Sequence, residues 1–260
     1  MVLNRTADCP PKTMSDFSAV GFKLESAEEF RVLLETLLAR AKRLPSFIGG
    51  EYACYQDASG SALWIQVSPD GQIVGGHPFY EGESNYALDV HRVYEDEEGT
   101  PLDGQVYGVI KAGCGCPLVF DSPNLWSSPL VEKECPFSAL IRVCAFPKDV
   151  SVCKTLEEFQ ASPSGSLCAE GAIIPSGTFK PGGDKIDPPK PWAIIAGRIK
   201  KVQCKQNGFS GMKFYALLVD TLGGSIDVPI ALEAVKERPI INGYIGGSFL
   251  VSGRYLGTID

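Results

Sequence analysis

The chain has only two histidines, His77 and His91, and they stand on either side of Glu83. Two imidazoles and a carboxylate bind iron or zinc when they converge and leave one coordination position open. The spacing H-x5-E-x7-H matches no metal-binding motif of a helix or a strand, and a predicted turn separates His91 from the other two. We therefore expect surface histidines. A metal-dependent enzyme with its site near these three residues is the alternative hypothesis.

Nine cysteines offer a second kind of chemistry, and two of them, Cys114 and Cys116, form a C-x-C pair. A structural zinc site normally uses two such close pairs, and a reactive thiol needs neighbours that lower its pKa. Neither signal accompanies this pair, so we favour a tight turn, with a metal or redox role left open. Because the cysteines are scattered and odd in number, we expect free thiols that mostly fill the core.

Other motifs of catalysis are missing from the sequence. It contains no G-x-S-x-G, no glycine-rich phosphate loop before a helix and no H-E-x-x-H. A pair of catalytic carboxylates stays open, because any two of the 31 acidic residues could meet in the fold. The sequence therefore favours a protein without catalytic residues and without a cofactor.

The composition predicts a folded protein made of many short elements. Apolar residues form 44% of the chain, and 28 glycines and 19 prolines favour turns over long helices. No apolar run approaches the roughly 20 residues that cross a bilayer, and the first residues lack the layout of a secretory signal. We expect a cytoplasmic protein without a membrane partner. The sequence predicts no oligomeric state.

A helix over residues 26–43 is the clearest local prediction. Ser26 and Glu29 have the spacing of a capping box, and Leu44-Pro45 is expected to end the helix. An apolar stripe at helical spacing consists of Phe30, Leu33, Leu34, Leu37, Leu38 and Ala41. Strands are expected around this helix over 18–24, 51–56, 62–68 and 72–75, with a hairpin turn at 68–71. This order predicts a β-rich α+β fold, with the helix packed on an antiparallel sheet.

Further along the chain, we expect a hairpin with strands over 139–146 and 149–154, turning at Pro147-Lys148. A helix over 155–161 follows, with Thr155 and Glu158 as its capping box. Its opening T-L-E-E-F resembles S-A-E-E-F at the start of the first helix. A duplicated α+β unit would explain the similarity, although capped helices often begin in this way.

The segment 179–191 is predicted to be a linker, because two adjacent glycines and several prolines keep it out of a sheet. It divides the chain into an α+β domain over 1–178 and a smaller domain over 192–260. From Pro191 onward, eight basic and five acidic residues give a net charge of +3, which leaves −10 for the rest. The overall charge of −7 disfavours attraction of nucleic acid to the whole surface, but not to this part.

The terminal segment 191–257 resembles the OB-fold, a small β-barrel that binds oligonucleotides and oligosaccharides. The residues that carry the resemblance are GRIKKV in a first strand, KFYALLVDTLGGSIDVPI across two more and GSFLVSGRYLG in a later strand. Only three residues follow Gly257, too few for a fifth strand. Either the barrel is incomplete or another segment closes it.

The resemblance implies a binding face of basic and aromatic side chains. The candidates are Arg198, Lys200, Phe209, Phe214, Tyr215, Phe249, Arg254 and Tyr255. Adjacent residues of a strand point to opposite faces, so one ring of the pair Phe214 and Tyr215 must face inward. The main hypothesis is a non-catalytic binding or adaptor protein that contacts single-stranded nucleic acid or a protein partner. A structural or assembly component is a further alternative to the metal-dependent enzyme.

Overall fold

The computed structural model describes residues 14–96, 99–112, 115–175 and 190–259. Its α-helices are α1 (Met14–Ala19), α2 (Ala27–Leu38), α3 (Leu156–Ala161) and α4 (Pro163–Leu167). Its first strands are β1 (Lys42–Pro45), β2 (Glu51–Gln56), β3 (Ser61–Val67), β4 (Ile73–Tyr80), β5 (Asn85–Glu95), β6 (Gly104–Ile110) and β7 (Pro117–Asp121). The later strands are β8 (Phe137–Cys153), β9 (Ile173–Pro175), β10 (Trp192–Gln206), β11 (Lys213–Thr221), β12 (Gly224–Ala231) and β13 (Tyr244–Thr258). Short 3₁₀ turns occur at Leu125–Ser127, Pro129–Val131 and Leu232–Ala234.

The small sheet contains β1 to β4 in sequence order, all antiparallel, as expected for the first part of the chain. Every residue of β3 is buried, because α2 packs on one face of this sheet and residues 100–103 contact the other. The helix approaches β4 so closely that a side chain at Gly76 would meet Leu34. Phe146 and Phe214 of the large sheet belong to the same core cluster as these residues.

Helix α2 begins where the sequence predicts and ends earlier. Ser26 Oγ accepts a hydrogen bond from the Glu29 backbone N–H, while the Glu29 carboxylate accepts from the N–H of Glu25, so the capping box is only half formed. The prediction to residue 43 was wrong, because residues 42–45 pair with β2 as β1. The strand expected over 18–24 was also wrong, since α1 and a turn occupy the start of that stretch and bury Phe22.

The large sheet has nine strands in the order β11-β12-β8-β5-β6-β7-β13-β10-β9. A further pairing of β11 with β10 joins its ends into a ring, from which β9 projects. Pairing of β8 with β13 divides this ring into two smaller rings of five strands, β10-β11-β12-β8-β13 and β5-β6-β7-β13-β8. One core cluster contains buried apolar side chains of both, such as Leu88, Phe120, Ile199, Leu217 and Phe249.

Strand β8 closes the ring that the terminal segment could not complete alone. It pairs with β12 in parallel at Asp227 and Cys144, and with β13 in antiparallel over nearly its whole length. The predicted hairpin at Pro147-Lys148 was therefore wrong. The chain continues in one strand through a bulge opposite Phe249, where an irregular register accommodates a proline that cannot donate to the ladder.

The pairings of β5 to β8 are repeated by β10 to β13. In both sets the first two hairpins are antiparallel, the last strand pairs with the first, and the third strand pairs in parallel with the last strand of the other set. Asp121 and Asp227 occupy the matching parallel positions, and their partners Ser252 and Cys144 lie opposite each other. The large sheet therefore has an internal approximate twofold symmetry.

The predicted linker at 179–191 lies outside the described residues except for its last two positions. The domain boundary there stays a prediction, although strands from both sides of it share one sheet. Helix α3 occupies 156–161 with Thr155 and Glu158 in a complete capping box, as predicted. Among the described helices, none has the length and apolar character that crossing a membrane requires.

Candidate functional site

A concentration of positive charge lies on the β10–β11 hairpin. Residues 198–220 contain one acidic residue and five basic ones, a net charge of +4 on a chain of −7. Four of the basic side chains are exposed and Lys205 is half-buried. We call this set the cationic hairpin: Arg198, Lys200, Lys201, Lys205 and Lys213.

The register of β10 and β11 explains how the hairpin divides into two faces. Ile199 opposite Val219 and Val202 opposite Leu217 contribute to the core. The pairs on the other face include Arg198 opposite Asp220 and Lys201 opposite Leu218. A bulge between Ile199 and Lys201 shifts the alternation, so that basic residues follow the outer face of β10.

A small, shallow cleft of about 40 Å³ lies on the outer face of β10, β11 and β12. Lysines stand at its rim, Leu218 and its neighbours on β11 form an apolar wall, and the loop after β4 closes one side. The lining residues are Tyr80, Gly82, Glu83, Lys201, Gln203, Lys205, Ala216, Leu217, Leu218 and Asp227. The small sheet covers the neighbouring part of this face, where Phe214 and Ala216 are buried.

The lysines beside the cleft already have partners within the chain. Lys200 Nζ lies 2.6 Å from Asp220 and Lys201 Nζ lies 2.5 Å from Glu83. About half of each of these side chains is exposed, so each ion pair contributes only about 0–1 kcal/mol and can be exchanged for another anion. Lys205 donates to the Ser59 carbonyl at 3.0 Å and lies over the Tyr80 ring.

Residues 81–84, which link β4 to β5, cross the face next to the cleft, and we call them the acidic strap. The Ser84 N–H donates to the buried Asp227 carboxylate at 2.6 Å. Burial raises the pKa of Asp227, while this backbone hydrogen bond and others oppose the shift. A side chain at Gly82 would collide with the same carboxylate, so the strap packs directly on β12.

Two arginines fix the other end of the acidic strap. The Arg254 guanidinium contacts Glu81 through two hydrogen bonds of 2.8 Å, and Arg142 contacts it at 3.0 Å. Arg142 and Arg254 lie opposite each other on β8 and β13, where the two rings meet. Only 6% of the Glu81 side chain is exposed, so this carboxylate is an internal partner of both arginines.

The aromatic residues predicted to stack on bases are mostly inside the protein. Phe214 and Phe249 are fully buried. Phe209 packs between Phe22 and Tyr55, with ring centroids 6.3 and 6.1 Å away. The two remaining predicted rings, Tyr215 and Tyr255, are half-buried against the core. Of the eight predicted residues, the cationic hairpin brings together Arg198 and Lys200, while Arg254 lies at the far end of the acidic strap.

The three residues of the metal hypothesis have different surroundings. His77 Nε2 lies 2.5 Å from the buried Asp103, whose carboxylate also accepts from Gln66. Glu83 pairs with Lys201, and the exposed His91 lies on β5 with its ring 6.0 Å from that of Tyr107. In the described ranges, no three metal-binding side chains are grouped closely enough to hold an ion.

Six described cysteines are free thiols, as predicted. Cys116 is the exception, because it forms a disulfide, and Cys114 lies outside the described residues. Burial raises the pKa of Cys54 to about 12 and that of the fully buried Cys144 well above its usual value, which disfavours the thiolate form of both side chains. Cys204, by contrast, is exposed on the cationic hairpin.

The residues that sequence reasoning missed are Lys201, Lys205 and Glu83 in its role as a lysine partner. The run R-I-K-K-V-Q-C-K contained a signal for the two lysines, but the bulge that orients them could not be placed. Comparison of the chain with models of protein families, with curated proteins and with solved structures found no match.

Proposed function

We propose that this chain is a non-catalytic binding protein whose cationic hairpin contacts the phosphates of single-stranded nucleic acid. The observation that carries the proposal is the net charge of +4 on residues 198–220 of a chain that is otherwise strongly acidic. Such a local excess attracts a polyanion to one face, while the rest of the surface repels it.

The resemblance of the terminal segment to the OB-fold adds support. The ring β10-β11-β12-β8-β13 has five strands, the number in that barrel. The cationic hairpin and the cleft lie on its first three strands, which include the strands that OB-folds use to bind oligonucleotides. Here β8 would be the closing strand, supplied from before the predicted linker.

The proposed contacts are electrostatic. The rings that would stack on bases are buried or half-buried, so stacking contributes little, whereas Arg198, Lys200 and Lys213 are exposed. Phosphate contacts fix the position of a strand without reading its sequence. We therefore expect weak sequence preference and strong dependence of the dissociation constant on salt.

Fluorescence anisotropy with a labelled 20-nucleotide oligothymidine tests the proposal. Phosphate contacts by Arg198, Lys200, Lys205 and Lys213, with Lys201 still paired with Glu83, predict a slope of about −2.8 for the logarithm of the association constant against the logarithm of salt concentration. The association constant should then fall about 50-fold between roughly 50 and 200 mM NaCl.

A charge-matched pair of variants locates the binding surface. Arg198→Gln with Lys213→Gln removes two cations from the hairpin and should reduce the slope by about 1.4. Arg92→Gln with Lys133→Gln removes two exposed cations near the start of β8, whereas the end of β8 lies beside the part of β13 that pairs with Arg198; this pair should leave the slope unchanged. Equal weakening by both pairs contradicts the proposed site. If the oligonucleotide does not bind even in about 20 mM salt, the nucleic-acid proposal is wrong and a protein partner becomes the favoured hypothesis.

A further inference from the structure

The carboxylate of Glu83 lies beside the cleft, where it pairs with Lys201 as the anion of a bound ligand would. It belongs to the acidic strap, which crosses from β4 to β5, and it lies 2.5 Å from Lys201 of the cationic hairpin. The strap is fixed on both sides of Glu83, since Glu81 contacts Arg142 and Arg254 and the Ser84 N–H contacts Asp227. Glu83 therefore stays beside the cleft, although its own side chain is 58% exposed.

We propose that Glu83 is an internal competitor of the ligand phosphate at Lys201. This inference rests on the proposed function. A phosphate that approaches the hairpin must displace the Glu83 carboxylate from Lys201 and then lies next to a like charge. The exposed ion pair is weak enough to be displaced, so Glu83 lowers the affinity without closing the site.

Removal of this carboxylate should change the affinity for the oligonucleotide by a measurable amount. Glu83→Gln keeps the length and hydrogen-bonding capacity of the side chain and makes Lys201 available as one more phosphate contact. One contact changes the slope against salt by about −0.7, so the oligothymidine should bind about five-fold more tightly at roughly 100 mM NaCl.

The matched control is Glu237→Gln. Glu237 also forms an exposed ion pair, with Lys154 at 2.7 Å and with 55% of its side chain exposed, but its partner is not a residue of the cationic hairpin. It changes the net charge by the same amount, so an effect of overall charge would appear in both variants. A second pair of measurements repeats Glu83→Gln in a Lys201→Gln background, where no gain is expected.

The outcomes separate the two ideas. A five-fold gain for Glu83→Gln, absent from Glu237→Gln and lost in the Lys201→Gln background, supports competition at Lys201. Equal affinities of Glu83→Gln and Glu237→Gln overturn the competition and leave the proposed function intact. A gain that persists without Lys201 also overturns it. If neither the unaltered protein nor Glu83→Gln binds the oligonucleotide, the proposed function fails, and the inference fails with it.

Discussion

Replacement of Glu81 with alanine should be among the most destabilising changes outside the apolar core. The carboxylate accepts three charge-assisted hydrogen bonds, two from Arg254 at 2.8 Å and one from Arg142 at 3.0 Å. Loss of one partner of a buried ion pair costs about 3–5 kcal/mol, because the remaining charge is left without compensation. Each guanidinium here is about a quarter exposed, and water relieves part of this penalty. We therefore expect a loss of about 3 kcal/mol in the free energy of unfolding.

Thermal and urea unfolding measure this loss. For a chain of this size, about 3 kcal/mol corresponds to a fall of roughly 6–12 °C in Tm. The control is Glu28→Ala, which removes a glutamate that also pairs with an arginine but is 67% exposed, and which should cost under about 1 kcal/mol. A Glu81→Ala protein that is as stable as Glu28→Ala would refute the reasoning that this buried carboxylate compensates the charge of both arginines.

Three other predictions concern separate parts of the fold. Burial raises the pKa of Asp227, so the folded state holds this proton more tightly than the unfolded state, and ionisation lowers stability as the pH rises through that raised pKa. Asp227→Asn should therefore gain stability relative to the unaltered protein in urea unfolding as the pH rises above about 4, and a difference that stays constant with pH would contradict this. Exposed Cys204 should react with Ellman's reagent within minutes, as should the exposed Cys135, while Cys54, whose pKa is raised to about 12, reacts only on unfolding. Cys204→Ser should therefore lose one fast-reacting thiol, and an unchanged number of fast-reacting thiols disproves the assignment. Gly197→Ala places a side chain 2.1 Å from a backbone carbonyl of β11 and should cost at least about 1–3 kcal/mol in thermal unfolding, and an unchanged Tm would argue against that close contact.

Local signals in the sequence predicted local structure well. The start of α2 at Ser26, the turn at 68–71 and the capping box of α3 each depend on residues within one turn of chain. The large errors came from long-range pairing. Residues 42–45 continue a plausible helix, but they form β1 because β2 is available beside them. Pro147-Lys148 has the composition of a turn, yet β13 holds both flanking segments in one strand.

The candidate site was predictable only in part, because its charges are local features of the sequence and its burial depends on long-range packing. Its cations are visible in the sequence, and Arg198 and Lys200 were among the predicted residues. The burial of Phe214 and Phe249 was not visible, because the small sheet packs on one face of the terminal strands and the second ring encloses the other. The partnership of Glu83 with Lys201 joins positions 118 residues apart, and no periodicity encodes such a distance.

The third strand of each set, β7 or β12, pairs with the last strand of the other set, and this determines when each ring can close during synthesis. Strand β7 pairs in parallel with β13, so the ring β5-β6-β7-β13-β8 stays open until residues 244–258 have been synthesised. Until β12 and β13 are synthesised, one edge of β8 has no partner strand. An unpaired edge can form hydrogen bonds with an incorrect strand or with another chain. Maturation of the first half is thus tied to translation of the second. A ribosome-bound chain stopped before residue 244 should remain sensitive to protease across β5 to β8, and release of the full chain should bring protection to both halves together.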